Sequence, residues 1–136
     1  MPNTTETPAE IVTWARDLYL NAVDQKDAAG FAAVFTEDAW LRFGNADPIV
    51  GREGIEAAIA QFFTVMVDLR HEFTAISYQG DTIFLEAVVT YTRQDGGIVV
   101  VPAMTVFHMS DVDGRRLAHR CQIYVDLAPL FAPSAA

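Results

Sequence analysis

The sequence predicts an α+β domain in which three short helices lie across the concave face of a strongly bent antiparallel sheet, making a cone. Three observations carry this. From Asp81 to Asp126 the chain holds three long runs rich in Val, Ile, Thr, Tyr and Phe, joined by the polar turns QDGG (Gln94–Gly97) and DVDG (Asp111–Gly114); this is the pattern of an antiparallel meander. Apolar residues at helical spacing are confined to the first half of the chain. Both alternating sets of the first long run are apolar, Ile83, Leu85, Ala87 and Val89 on one and Phe84, Val88 and Thr90 on the other, so both sheet faces need cover. The helices cover one face, and a second copy of the chain across the outer face, making a homodimer, is the expected cover for the other.

In chain order, Thr7-Pro8-Ala9-Glu10 reads as a helix start, with threonine as cap and proline at the first helical position. Ile11, Trp14, Ala15, Leu18, Ala22 and Val23 then keep the helical period to about Lys26. A second, shorter helix buries Phe31, Val34 and Phe35 and ends near Glu37-Asp38. Ala39–Phe43 alternates as a strand, and Gly44–Gly51 has loop composition. The third helix spans about Glu53 to Met66, with Ile55, Ile59, Phe62, Phe63 and Met66 as its stripe. Leu69–Ser77 is a strand with Leu69, His71, Phe73 and Ala75 inward. Gln79-Gly80-Asp81 turns into the meander, where Pro102 predicts an edge position or a bulge. The order α-α-β-α-β-β-β-β gathers helices on one side of one sheet.

With 136 residues, 51% of them apolar, the chain is long enough for one compact core. The reading is a flexible segment over 1–7, a single domain over 8–131 and a short tail over 132–136. Met1–Glu10 lacks the apolar stretch of a signal peptide, and no run approaches the ~18 apolar residues that cross a bilayer. A soluble, cytoplasmic protein with no membrane partner is expected. A formal charge of −9 argues against nucleic acid as a partner, which needs a basic face. Cys121 is the one cysteine, so no intrachain disulfide forms. The three histidines have no metal-ligand spacing, and no metal site is expected. Asp111-x-Asp113-Gly114 is hairpin chemistry rather than a calcium loop. No phosphate-cradling loop or nucleophile elbow is present, so the expected chemistry needs no cofactor.

The element order, the text YLNAVDQKDAAGFAAVFTEDA (Tyr19–Ala39) and the ending IYVDLAPLF (Ile123–Phe131) resemble the SnoaL-like branch of the nuclear transport factor 2-like superfamily, a cystatin-like cone. The resemblance spans roughly Glu10 to Phe131 and implies the fold far more than a chemistry, because this fold hosts many functions. In text the chain is most similar to limonene epoxide hydrolase, including FTVM (Phe63–Met66). The places of that enzyme's catalytic residues here hold Glu86, Val88, Ile123, Leu41 and Phe43, so its mechanism is not implied. Of the three ketosteroid isomerase positions, Tyr19 matches the helix tyrosine. Phe43 replaces the base, and Met104 or Thr105 the second acid. Scytalone dehydratase carries a histidine on the strand after the third helix, at or next to His71.

Three residues are candidates for catalysis. His71, an imidazole on an apolar face, can give or take a proton near neutral pH; the alternative is a core histidine satisfied by a backbone carbonyl. Glu86, placed in the pocket by the epoxide hydrolase register, could orient that ring; the alternatives are an ion pair with Arg42, Arg93 or Arg120, or a place in the dimer interface. Tyr19 could polarise a substrate carbonyl, or simply pack its ring. The expected lining is Leu41, Phe43, Phe73 and Val88 with Ala103, Thr105, Ile123 and Val125. Such a lining suits a small, largely apolar molecule with one or two polar handles, such as a terpenoid, steroid or polyketide fragment. The expected function is cofactor-independent acid–base chemistry of the isomerase or dehydratase type. A binding or dimerisation domain without chemistry is the alternative, and water addition to an epoxide by Glu86 a third.

Overall fold

The computed structural model describes residues 7–133. Helix α1 (Ala9–Asn21) has Pro8 rather than Thr7 at its cap position, because the Thr7 hydroxyl donates instead to the Ile76 carbonyl. The rest of the segment expected to be flexible, residues 1–6, and the last three residues lie outside the described ones. The first helix also stops earlier than its apolar period. A 3₁₀ turn over Val23–Gln25 follows, and Lys26 takes a left-handed conformation with φ 58°. The Lys26 ammonium then donates to the Met66 and Val67 carbonyls at 3.1 and 3.2 Å. This ties the turn to the start of a strand forty residues on.

Helix α2 (Ala28–Ala32) is capped by Asp27, which accepts from the Gly30 amide at 3.0 Å. It ends five residues before its expected limit, because Phe35 already belongs to strand β1 (Phe35–Phe43). Pairing won over helical spacing here: the Ala118 amide donates to the Val34 carbonyl, and Phe35 pairs with Ala118. Inside the expected loop, the two-residue strand β2 (Ile49–Val50) pairs with Leu41 and Trp40. Helix α3 (Arg52–Phe63) is followed by β3 (Met66–Gln79), β4 (Thr82–Arg93), β5 (Ile98–Val112), β6 (Arg115–Val125) and the single turn α4 (Ala128–Phe131). No described helix is long and apolar enough to cross a membrane.

The sheet runs β2-β1-β6-β5-β4-β3. It is antiparallel except where β1 meets β6, a parallel pair that the expected all-antiparallel sheet did not include. The β5–β6 turn places Asp113 and Gly114 at φ 51° and 79°, the backbone that a tight hairpin needs and that glycine adopts freely. Pro102 sits in an interior strand, yet β6 pairing begins only at Ala103. At Pro102, β5 is therefore flanked by β4 alone, an edge that is local.

Alternation decides what each strand buries. Ile83, Leu85, Ala87, Val89 and Tyr91 of β4 are all buried with Phe35, Ile55, Met66 and Phe107. Phe84, Val88 and Thr90 are half-buried on the opposite face, where Glu86 is exposed. A bulge between Phe73 and Ala75 shifts the β3 register. Past it Ala75 turns outward and Ile76 packs on the core, the reverse of strict alternation from His71.

Candidate functional site

Between α1, α3 and the inner sheet face lies a cavity walled by Phe31, Phe62 and Phe63 from the helical side and by Val89, Tyr91 and Thr105 from the sheet. It holds about 500 Å³ of empty space when its open mouth is counted. Its interior free volume is only about 40 Å³, on a scale where one water needs roughly 10–15 Å³. The ligand-free shape is thus a narrow slot between aromatic rings. Phe43 stacks at a tilt on Phe62, with centroids 4.8 Å apart, and both line the slot.

The polar end of the slot is built around His71. Its Nδ1 lies 2.7 Å from Asp24 Oδ1, and its backbone N–H donates to Asp24 Oδ2 at 3.1 Å. Both side chains are only 12% exposed. An ionised carboxylate can only accept, so Nδ1 carries a proton, and in the neutral ring Nε2 is the nitrogen with the lone pair. Nε2 has no protein partner among the described residues, and the ring lines the cavity. Tyr19 packs edge-on against this ring, centroids 4.7 Å apart at 61°. Burial, first of all, pushes the Tyr19 hydroxyl far above the ordinary phenol range. Cys121, Asp24 and Tyr91 add to that rise, while a hydrogen bond from Thr105 opposes it. Tyr91 is raised likewise, by burial and then by Asp24. Both phenols are therefore neutral donors at working pH.

His71, Tyr19, Phe43, Ala103, Thr105, Ile123 and Val125, named from the sequence, all line this cavity. Leu41 is fully buried in the core but lies off the lining. Phe73 stands behind it, its ring 5.1 Å from and nearly perpendicular to that of Tyr19. Two expectations are corrected. Glu86 and Val88 sit on the outer sheet face, because the wholly apolar set of β4 is the one that packs inward. Glu86 accepts a hydrogen bond from the Thr74 hydroxyl at 2.6 Å, across the bulge, and neither orients His71 nor can activate water in the slot. Its three expected arginine partners are engaged elsewhere: Arg93 with Asp95, Arg42 with the Gly44 carbonyl, and Arg120 over the Trp40 ring at 3.9 Å.

Asp24 and Tyr91 were not among the expected site residues. Running the first helix on to Lys26 hid Asp24, although the apolar period ends at Val23. Tyr91 continues the buried Ile83-Leu85-Ala87-Val89 set, and is its first member with a polar tip. Cys121 is fully buried, and burial pushes its thiol far up, so it offers no nucleophile. Among the described residues, no three His, Cys, Asp or Glu side chains come together to hold a metal.

Helices laid over one face of a six-stranded sheet, with a polar cluster in an apolar slot, define the nuclear transport factor 2-like and ketosteroid isomerase-like class of α+β fold. Within that class, the chain belongs to the SnoaL-like domain family, whose model matches residues 15–119. Comparison with curated proteins finds no match. Among solved structures, ActVI-ORFA from Streptomyces coelicolor is similar at 24% identity and a TM-score of 0.73, over 87% of this chain and 96% of that one. A nuclear transport factor 2-like protein from Burkholderia pseudomallei superposes with a TM-score of 0.78 at 17% identity, over 95% and 100%. TerC, crystallised with polyporic acid, has a TM-score of 0.71 at 18% identity, over 89% and 95%. At these identities the likeness is one of fold.

Proposed function

We propose that this protein binds a small, largely apolar molecule in the slot and moves a proton on it, as a cofactor-independent acid–base enzyme of the isomerase or dehydratase type. His71 is the proton carrier, Asp24 sets its tautomer and position, and Tyr19 donates to a substrate oxygen. The observation that carries this is the double grip of Asp24 on His71, through the ring Nδ1–H and the backbone N–H, with Nε2 left unengaged. A carboxylate behind an imidazole both orients it and stabilises the cation formed when Nε2 takes a proton. The apolar slot suits a terpenoid, steroid or polyketide-like body, and TerC, of similar fold, was crystallised with polyporic acid.

The test is proton exchange. Cyclic ketones of graded size are incubated with the protein in deuterium oxide, and label entering the carbon next to the carbonyl is followed by mass spectrometry. His71→Gln should slow exchange by roughly 10²–10⁴-fold, the usual worth of a general acid–base group, while circular dichroism stays unchanged. Exchange that persists in His71→Gln would sink the assignment.

A second reading is favoured by the small free volume of the slot: a binding or dimerisation domain without chemistry, in which Phe43 and Phe62 fill the cone. It predicts no exchange with any ketone and normal ligand binding by His71→Gln. Either reading leaves the outer sheet face to be covered. Ile98, Val100 and Tyr124 stand largely exposed there, which supports a second copy of the chain as the cover.

A further inference from the structure

We propose that the Tyr91 hydroxyl is the donor by which the slot selects its ligand, favouring a flat apolar body that carries a carbonyl or phenolic oxygen. This rests on the reading of the slot as a ligand site, but on a residue that reading does not use. Tyr91 is 3% exposed and lines the cavity. Among the described residues its hydroxyl has no hydrogen-bond partner. Every described side-chain polar atom sealed from solvent does have a partner, so the Tyr91 hydroxyl is not sealed. The opening it meets is the cavity.

A hydroxyl that opens on the cavity is left to bond whatever occupies it, water or ligand, and phenylalanine would fill the same space without offering that bond. The ring is also held in place. It stands perpendicular to Phe62, with centroids 6.2 Å apart, and its backbone is paired on both sides, to Leu69 and to Val99. Only the O–H bond is free to turn. The spacing completes the case. Val89 pairs directly with His71, so Tyr91, two residues further along the same face, is rooted about 7–8 Å from His71 on the diagonal. A donor and a proton carrier so placed line the same cavity and can reach one ligand.

The experiment uses two probes of one shape: acetophenone, and α-methylstyrene, in which CH₂ replaces the carbonyl oxygen. Calorimetric titration should show the wild type binding acetophenone roughly 3- to 10-fold more tightly, the usual worth of one neutral hydrogen bond. Tyr91→Phe should lose most of that preference, keeping only what Tyr19 gives, and unfold at no lower temperature. The infrared carbonyl stretch of ¹³C-labelled acetophenone should be red-shifted less on Tyr91→Phe than on the wild type. Equal affinities in the wild type, an undiminished preference in Tyr91→Phe, or a marked loss of stability in that variant would each overturn the proposal. His71→Gln should keep the preference although it loses proton exchange, so the two readings fail separately. A preference lost in His71→Gln and retained in Tyr91→Phe hands the donor role to the imidazole. If neither probe binds the wild type, the slot is not a ligand site, and both readings fall together.

Discussion

Asp24→Asn tests the site without any substrate. In the wild type, Asp24 accepts twice, from His71 Nδ1–H at 2.7 Å and from the His71 backbone N–H at 3.1 Å. An asparagine of the same shape has one acceptor and one donor end. If its oxygen faces Nδ1, its NH₂ points at the backbone amide, and two donors meet in a place that is only 12% exposed. If its oxygen faces the amide, its NH₂ points at Nδ1. The second arrangement wins, because a backbone amide cannot move its proton and an imidazole can. Nδ1 then becomes the acceptor and the proton goes to Nε2.

Two magnitudes follow from that swap. Replacing charged by neutral hydrogen bonds in a mostly buried pair lowers stability by about 1–3 kcal/mol, readable as an earlier urea midpoint. Moving the proton to Nε2 removes the base, and proton exchange should fall by roughly 10²–10⁴-fold. The tautomer is observable by long-range ¹H–¹⁵N NMR of the ring. The wild type at pH 8 should show the proton on Nδ1, and Asp24→Asn should show it on Nε2. A wild-type ring protonated on Nε2, or an Asp24→Asn ring unchanged from it, refutes the reasoning at its first step.

Two further outcomes concern the outer face. The His108 imidazole is held below its ordinary pKa, first by burial and then by Arg120 and His119. The unfolded chain therefore takes up a proton there more readily than the folded one, and stability falls as pH drops through about 6.5 toward the folded value. Urea midpoints between pH 5 and 8 should fall less steeply toward acid in His108→Gln than in the wild type, and parallel curves would exclude that role. Val100 is 59% exposed on the same face. Sedimentation should show a wild-type dimer at micromolar concentration and a Val100→Glu monomer; a monomeric wild type removes the outer face as a self-association surface.

The parts of the fold legible in the sequence were those whose signal is local and periodic. The β4–β5 and β5–β6 hairpins announce themselves through Asp and Gly at the turns, and α1 and α3 through their apolar stripes. What was not legible depends on partners far along the chain. Val34 and Phe35 fit a helical stripe, and only the arrival of β6, some eighty residues later, makes that stretch a strand. The same limit explains the site. His71 stood out because an imidazole among apolar neighbours is visible in one strand. Asp24 did not, because its meaning comes from a 3₁₀ turn held against β3 by Lys26. Glu86 was misplaced because alternation says which residues share a face but not which face is inside. The better guide was the charge itself: β4 offers one face with a carboxylate and one without, and the core takes the one without.

The His71 and Asp24 pair also bears on whether the slot is only a container. A histidine that merely fills core needs one acceptor for its N–H, and a backbone carbonyl supplies it at little cost. Here the acceptor is a carboxylate, drawn largely out of water and given two donors by a single residue. Taking that charge from water costs several kcal/mol unless its attraction to the partner repays it. The repayment is greatest when the ring is a cation, a state that proton transfer to Nε2 creates. The neutral phenols of Tyr19 and Tyr91 stand around the same charge without neutralising it. A carboxylate held in this way against the ring supports the acid–base reading proposed for the slot, in which Nε2 takes a proton from the ligand and returns it.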